Sequence, residues 1–243
     1  MKKLRQEGFT LVELAVVLVI ISLLVSGIMA GEEVLETSKR TAVISTLGKY
    51  KSSYDQFSEK YYSIPGDIPD AEDVWGAANT DNGDGNGYVD SATESYLAWQ
   101  HLGLSGFVDG RYPGSRSGTN VAPSTDIPSG PYTKSGYQIL QKNDKTTSST
   151  NYNAVTFAKV RSVDNLDNPV LVPKQAKTVD QKIDDSNPSE GQIVSITGGD
   201  SGDVSYDEAD CIVVNTATDL DDEYSLSETE TTCIVIYYLD FTS

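Results

Sequence analysis

The apolar residues near the amino terminus form a run that is long enough to cross a membrane. Residues 14–30 are almost uninterrupted in apolar character, and Glu13 is the only acidic residue within residues 9–30. At about 1.5 Å per residue, a helix over residues 9–30 spans about 33 Å, which is enough to cross a bilayer core. The pattern therefore predicts a membrane-spanning helix with a single carboxylate near its start.

After this run, apolar residues recur on one face of the chain only. They are spaced by three or four positions, which is the period of a helix with one buried stripe. The stripe consists of Val43, Leu47, Tyr50, Tyr54, Phe57 and Tyr61. Pro65 ends the pattern, because the residue before a proline avoids the α region. One helix is predicted over about residues 10–62, with its second half packed on the remainder of the chain.

The pattern beyond Pro65 predicts a short helix, a surface loop and then strands. Residues 91–104 read as the helix, and residues 113–130 are rich in Gly, Ser, Thr and Pro, as surface loops are. β-Branched and aromatic residues between turn residues predict strands at 136–141, 152–160, 192–197, 211–215 and 233–239. A further short helix is predicted at residues 173–184. The fold class is α+β, with a long helix packed on a C-terminal antiparallel sheet.

Charges on the two sides of the apolar run predict its orientation. Three basic residues precede the run and three acidic residues follow it: Lys2, Lys3, Arg5, Glu32, Glu33 and Glu36. The positive-inside rule then places the leader in the cytoplasm and most of the chain outside. A secretory signal is cut after its apolar core, whereas Gly8 stands before this one. A cut after Gly8 leaves Phe9 as the new amino terminus and keeps the helix.

The segment Gly8-Phe9-Thr10-Leu11-Val12-Glu13 resembles the class III leader of type IV pilins and type II secretion pseudopilins. The resemblance covers residues 1–62 and implies a pilin-like fold. It also implies that a prepilin peptidase cuts after Gly8 and methylates Phe9, and that Glu13 meets the Phe9 amine of a neighbouring filament subunit. The implied partners are other filament subunits, an assembly ATPase and a platform membrane protein. The alternative is a plain signal anchor in which Glu13 reaches the membrane interface, and it leaves Gly8 and the early acid unexplained.

The chain departs from the family pattern at one place. Major subunits often carry a proline late in the apolar segment, where this chain has Ala30 and Gly31, and no proline precedes Pro65. Retention of Glu13 argues against a tip subunit. We therefore expect a minor or divergent subunit of a pseudopilus or pilus, single-pass in the inner membrane with its head in the periplasm. The expected parts are a leader (1–8), a filament-core helix (9–30), an amphipathic helix (31–62) and a head (63–243).

Composition narrows the partners of the head. The 243 residues carry a formal net charge of −18, which disfavours nucleic acid and suits divalent cations. Cys211 and Cys233 are the two cysteines, and a pair in an oxidising compartment predicts one disulfide closing a loop of about 22 residues. Type IV pilins have a similar C-terminal disulfide loop. This disulfide is expected to tie the last two strands together near one edge of the sheet.

Residues 82–90 follow the first nine places of a calcium-binding loop. Side-chain oxygens stand at places one, three and five, glycine at six, a carbonyl at seven and an acid at nine. The final glutamate is expected at Thr93, and Glu94 stands one residue later; Asp81 is a further possible contributor. The candidate calcium ligands are Asn82, Asp84, Asn86, Tyr88, Asp90 and Glu94. The alternative is a Gly/Asn/Asp turn that needs no metal.

Other chemistry is weakly supported by the sequence. The acidic cluster Asp219, Asp221, Asp222 and Glu223 reads as solvated charge, with a second metal site as the alternative. His101 is the single histidine, and no Gly-x-Ser-x-Gly elbow accompanies it, so we expect a structural histidine and a protein that is not an enzyme. Two rivals to the filament subunit stay open: a membrane-tethered, calcium-dependent adhesin or binding head, and an exported hydrolase that depends on His101.

Overall fold

The computed structural model describes residues 10–143, 151–161, 163–198, 211–213 and 222–240. The helices are α1 (Leu11–Tyr61), α2 (Ala71–Trp75), α3 (Ala92–Leu104) and α4 (Pro173–Ile183). The strands are β1 (Ser135–Asn143), β2 (Asn151–Val160), β3 (Leu166–Asn168), β4 (Ile193–Thr197), β5 (Ile212–Val213), β6 (Glu223–Tyr224) and β7 (Cys233–Tyr238). A long amino-terminal helix and a C-terminal antiparallel sheet make this the predicted α+β, pilin-like architecture.

The chain forms two compact units, Met1–Lys39 and Arg40–Ser243, and α1 contributes to both. In the second unit, the predicted stripe of α1 is buried from Val43 to Phe57, while Tyr61 is half-buried. The ring of Tyr50 makes edge contacts with Trp99, at 4.8 Å between centroids, and with Tyr137, at 5.1 Å. These contacts anchor the second half of α1 to both α3 and β1.

The main sheet is antiparallel throughout. Its strand order is β1-β2-β7-β4, and β3 pairs with the end of β2. The predicted strands agree with β1, β2, β4 and β7 to within two residues at each end. The sequence analysis did not predict α2, β3 or β6, which have five residues or fewer.

The disulfide between Cys211 and Cys233 is present, which confirms the predicted pairing. Its predicted position was wrong. Cys233 begins β7, which lies between β2 and β4 inside the main sheet, whereas Cys211 precedes β5, which pairs with β6 in a separate two-stranded sheet. The disulfide therefore connects this small sheet to the middle of the large one.

Candidate functional sites on the helix and in the head

The first part of α1 exposes its apolar side chains. Every Leu, Val, Ile and Met between Leu11 and Met29 is between 50% and 87% exposed. Within the described residues, α1 is the one helix long and apolar enough to cross a membrane; its most apolar window has a mean hydropathy of 2.8 and contains no buried residue. Such a surface needs lipid or other apolar helices around it. An amino-terminal helix of this kind fits membrane anchoring.

Glu13 already has a partner at the start of this helix. Its carboxylate accepts hydrogen bonds from the backbone N–H and the hydroxyl of Thr10, both at 2.8 Å, while the Glu13 N–H donates to the Thr10 hydroxyl at 3.3 Å. This reciprocal arrangement is a capping box, in which a Thr and a Glu three residues later satisfy free N–H groups of the first turn. Sequence reasoning missed this role, although the Thr-x-x-Glu spacing before an apolar run is its recognised signal.

Gly8 and Phe9 lie outside the described residues. Cleavage after Gly8, methylation of Phe9 and the pairing of Glu13 with a neighbour's Phe9 amine therefore stay predictions. The start of the helix holds the Glu13 carboxylate at a defined position, four residues after Phe9, which would carry the new amine.

In the head, three carboxylates converge from separate parts of the chain. Oxygens of Asp67, Asp84 and Glu94 all lie within 4.8 Å of one another. Asp67 follows the turn after α1, Asp84 belongs to the predicted calcium loop, and Glu94 lies in the first turn of α3. No ion pair in the described part of the chain involves any of the three. The cluster therefore places three acidic groups together without a protein cation.

Asp67 is the centre of this cluster and is 1% exposed. One of its oxygens accepts from the N–H groups of Gly85, at 2.6 Å, and Asn86, at 3.2 Å, and the other accepts from Gly87 at 2.7 Å. Gly85 and Gly87 have φ values of 76° and 89°, which L-residues with a Cβ rarely adopt. The glycines of the loop therefore allow its backbone to wrap around the Asp67 carboxylate.

Glu94 is held by the capping box of α3. Its side chain accepts from the N–H of Ser91 at 3.3 Å and of Asp90 at 3.1 Å, while the Ser91 hydroxyl accepts from the Glu94 N–H. Its other oxygen faces the N–H of Asp84 at 3.4 Å. The one-residue displacement from the expected place twelve therefore still brings Glu94 to the loop.

Burial raises the pKa of both Asp67 and Glu94. For Asp67, the loop N–H groups oppose this rise and the neighbouring Asp84 carboxyl adds to it. The raised pKa of each group reflects a negative charge that is removed from water and lacks a compensating cation. A divalent cation bound by oxygen ligands would supply that compensation.

The other predicted ligands have different partners. The Asn82 side-chain oxygen accepts from the Glu72 N–H at 2.9 Å. The Asn86 side-chain oxygen accepts from the Tyr88 N–H at 2.7 Å, and its amide group donates to Asp84 and Asp90. Of the six candidates, the structure brings Asp84 and Glu94 into the cluster, and it adds Asp67, which sequence reasoning did not include.

The second acidic cluster is only partly described. Asp219 and Asp221 lie outside the described residues. The Asp222 carboxylate accepts a hydrogen bond from the Ser189 hydroxyl, and Glu223 begins β6.

His101 is fully buried beside the rings of Phe57 and Trp75, which also stack on each other. Its Nδ1 accepts from the Gly66 N–H at 3.0 Å, and its Nε2 lies 3.0 Å from the Thr80 hydroxyl. Because charge is costly at this depth, burial lowers the pKa of His101 to about 4. The ring is therefore neutral at pH 7 and bonded on both nitrogens, as a structural histidine is.

Comparison with known proteins identifies the amino-terminal segment. Residues 3–29 match the family model described as the prokaryotic N-terminal methylation motif, which is the signature of type IV pilins and pseudopilins. The match covers the leader and the exposed apolar part of α1, including Glu13. No curated protein and no solved structure gives a match.

Proposed function

We propose that the protein is a structural subunit, minor or divergent, of a type II secretion pseudopilus or a type IV pilus. The observation that carries this proposal is the exposed apolar surface of α1 between Leu11 and Met29, which lies within the methylation motif matched at residues 3–29. A motif of this kind implies processing by a prepilin peptidase and assembly into filaments. It also indicates a structural protein of the pilin kind.

Assembly follows from the exposure of the apolar side chains of α1 in a single chain. In the inner membrane, lipid covers its side chains, and in a filament the same side chains pack on those of other subunits. Glu13 meets the amine of Phe9 on a neighbour, since a carboxylate and an ammonium in an apolar medium cost less together than apart. The head lies in the periplasm, and the energy for assembly comes from a partner ATPase acting through a platform membrane protein.

The continuity of α1 supports the minor or divergent role. The helix runs from Leu11 to Tyr61 without a break, passing through Gly27 and Gly31. A proline inside it would remove a backbone hydrogen bond and kink it. Subunits that rely on such a kink to pack into a regular filament would differ in shape from this one.

The mass of the mature amino-terminal peptide tests the processing step. Protein purified from its native host is expected to begin at Phe9 and to carry one added methyl group. Gly8→Val, which places a branched side chain at the cut, is expected to keep the leader. Wild-type protein that still begins at Met1 in a host with an active prepilin peptidase would contradict the proposal.

We also propose that Asp67, Asp84 and Glu94 bind a calcium ion. Two ligands on opposite sides of a calcium ion at 2.3–2.6 Å are separated by about 5 Å, and the three carboxylates lie within 4.8 Å of one another. Calcium takes six to eight oxygens, so carbonyl groups and water complete the set. This site favours the rival function of a calcium-dependent binding head and is also compatible with a filament subunit.

Calcium is expected to stabilise the wild-type chain in detergent against heat. At a hundred times the dissociation constant the gain is about 2.7 kcal/mol, which raises Tm by roughly 5–10 °C for a chain of this size. Scanning calorimetry with calcium, with magnesium and with a chelator measures the shift.

Three substitutions decide which ligands matter. Asp84→Asn should abolish the calcium shift, whereas Asp73→Asn, an exposed residue of α2 with the same change in charge, should keep it. Asp90→Asn should keep the calcium shift if the carboxylate cluster holds the ion, because Asp90 belongs to the predicted loop and not to the cluster. A full calcium shift in Asp84→Asn would exclude the cluster as the site.

A further inference from the structure

A cavity of about 450 Å³ opens beside the C-terminal half of α3. The loop after α2 forms one side through Ala78 and Asn79, and residues 110–113 form the other. Leu104, Tyr112 and Pro113 supply its apolar surface, while Gln100 and Arg111 supply polar groups. The volume lies in the range of ligand pockets in proteins, and the cavity is separate from the carboxylate cluster.

A chain of hydrogen bonds connects His101 to the Gln100 amide through Thr80. Because Nδ1 of His101 accepts from Gly66, the proton of the neutral ring is on Nε2, which therefore donates to the Thr80 hydroxyl. The Thr80 hydroxyl in turn donates to Oε1 of Gln100 at 2.7 Å. Because Oε1 accepts from Thr80, the Nε2 group of Gln100 is available to donate to another acceptor.

This nitrogen makes no hydrogen bond within the described part of the chain and is not one of the buried side-chain atoms that lack a partner, so it is accessible from the cavity that Gln100 lines. Gly114 lies against the same amide, and with its φ of 72° a Cβ at this position would press on the Gln100 side chain. The loop backbone at Gly114 packs against one side of the Gln100 amide. An acceptor for the N–H groups of Gln100 would therefore lie in the cavity.

Arg111 adds a positive charge to the same cavity. It is exposed and makes no hydrogen bond or ion pair with the described residues, and no Asp or Glu lines the cavity. The absence of acids is unusual for a chain with 36 acidic residues and 18 basic ones. The cavity therefore combines one cation and one amide donor, both without a partner among the described residues, with an apolar wall.

We propose that this cavity binds a small organic acid that has one carboxylate and an apolar group. The carboxylate accepts from Arg111 and from Nε2 of Gln100, and the apolar group lies against Leu104 and Tyr112. A single carboxylate matches a single cation, whereas the net charge of −18 on the whole chain disfavours a polyanion. This binding activity goes beyond a role in filament structure and is independent of the calcium site.

Saturation-transfer NMR on the full chain in detergent tests the proposal, with N-acetylphenylalanine as the probe and its uncharged amide as the matched control. The acid is expected to bind at least tenfold more tightly than the amide, since hydrogen bonds to a charged group are the stronger kind. Equal binding of the acid and the amide, or no binding of the acid, would overturn the proposal.

Three variants complete the test. Arg111→Gln, an exposed change that leaves the fold unaffected, should weaken binding of the acid at least tenfold. Gln100→Glu should do the same, because it replaces the donor by a carboxylate of similar shape. Lys174→Gln, which removes an exposed charge in α4, should leave binding unchanged and also controls for uptake of the probe by detergent. Binding to Arg111→Gln at the wild-type level would place the probe elsewhere.

Discussion

Glu13→Ala is expected to exclude the protein from filaments while leaving it in the membrane. The substitution removes the carboxylate that would meet the Phe9 amine of the next subunit. An ammonium left unpaired in the apolar filament core costs about 2.5–3.5 kcal/mol, taking the insertion cost of a charged side chain as a guide. A cost of this size lowers the equilibrium for adding a subunit by roughly a hundredfold, which amounts to loss of incorporation.

The capping box at Thr10 makes a second explanation of the same result possible. Glu13 also accepts from the backbone N–H of Thr10, and the loss of a helix cap costs about 1 kcal/mol. Glu13→Ala removes both interactions, so it cannot by itself tell a contact between subunits from a cap within one chain.

Two further variants separate these roles. Glu13→Gln keeps an oxygen that can accept from the Thr10 N–H, because Gln serves as well as Glu in a capping box, but it has no charge. Thr10→Ala removes the hydroxyl partner of the cap and keeps the charge. We expect Glu13→Gln to fail to assemble and Thr10→Ala to assemble, as measured in sheared filament fractions at equal membrane levels and equal processing.

The opposite ranking would show that the cap, and not the charge, is what the filament requires. Normal assembly of Glu13→Ala would contradict the subunit function itself. In that case the membrane-tethered binding head becomes the better explanation, since such a protein needs α1 only as an anchor. Binding at the cell surface by the same variant then provides the readout for that function.

The helices were predictable from the sequence because their signals are local. The apolar run has the length of a membrane-spanning helix, the stripe from Val43 to Phe57 follows the helical period, and Pro65 marks the end of the helix. At α3, Ser91 caps the first turn and Glu94 completes the capping box, so its start was predicted to within one residue. α2 was missed because five residues are too few to show a period.

Two of the three residues of the carboxylate cluster were predictable. The spacing of the calcium loop identified Asp84, and the acid expected at place twelve identified Glu94, one residue later. Asp67 lies before the loop, and only the turn after α1 and the packing of Gly83 against the Asp67 backbone bring it to the cluster. No periodicity within residues 82–94 carries that information, because it depends on a contact between separate parts of the chain.

Sheet order was likewise beyond the sequence. The β-branched and aromatic residues of β7 predicted a strand but not its neighbours, and the placement of the disulfide at an edge was wrong for that reason. β7 lies between β2 and β4, and all six of its residues are buried, from Cys233 to Tyr238. A strand that is buried on both faces is typically an inner strand. The continuous apolar run of residues 233–239 was the sequence signal for such a position.

The Cys211→Ala/Cys233→Ala double variant is expected to lose about 3 kcal/mol of stability in its head. The disulfide closes a loop with a sequence separation of 22, and the chain-entropy model gives roughly this value for such a loop. For a chain of this size the change corresponds to a fall in Tm of roughly 6–12 °C. Calorimetry of the double variant beside the oxidised wild type measures it, and reductant should lower the Tm of the wild type alone.

Without the disulfide, the small sheet of β5 and β6 should lose its structure before the main sheet does. β5 and β6 have two residues each, and a two-stranded sheet is marginal in water. Besides the disulfide, the Tyr224 hydroxyl connects the small sheet to the rest of the head through hydrogen bonds with Asp180, at 2.8 Å, and with Ser195, at 3.0 Å. Hydrogen exchange should therefore accelerate at the amides of Ile212 and Tyr224 well before it does so in β7. Equal acceleration in both sheets would mean that the disulfide stabilises the whole head and not the attachment of the small sheet.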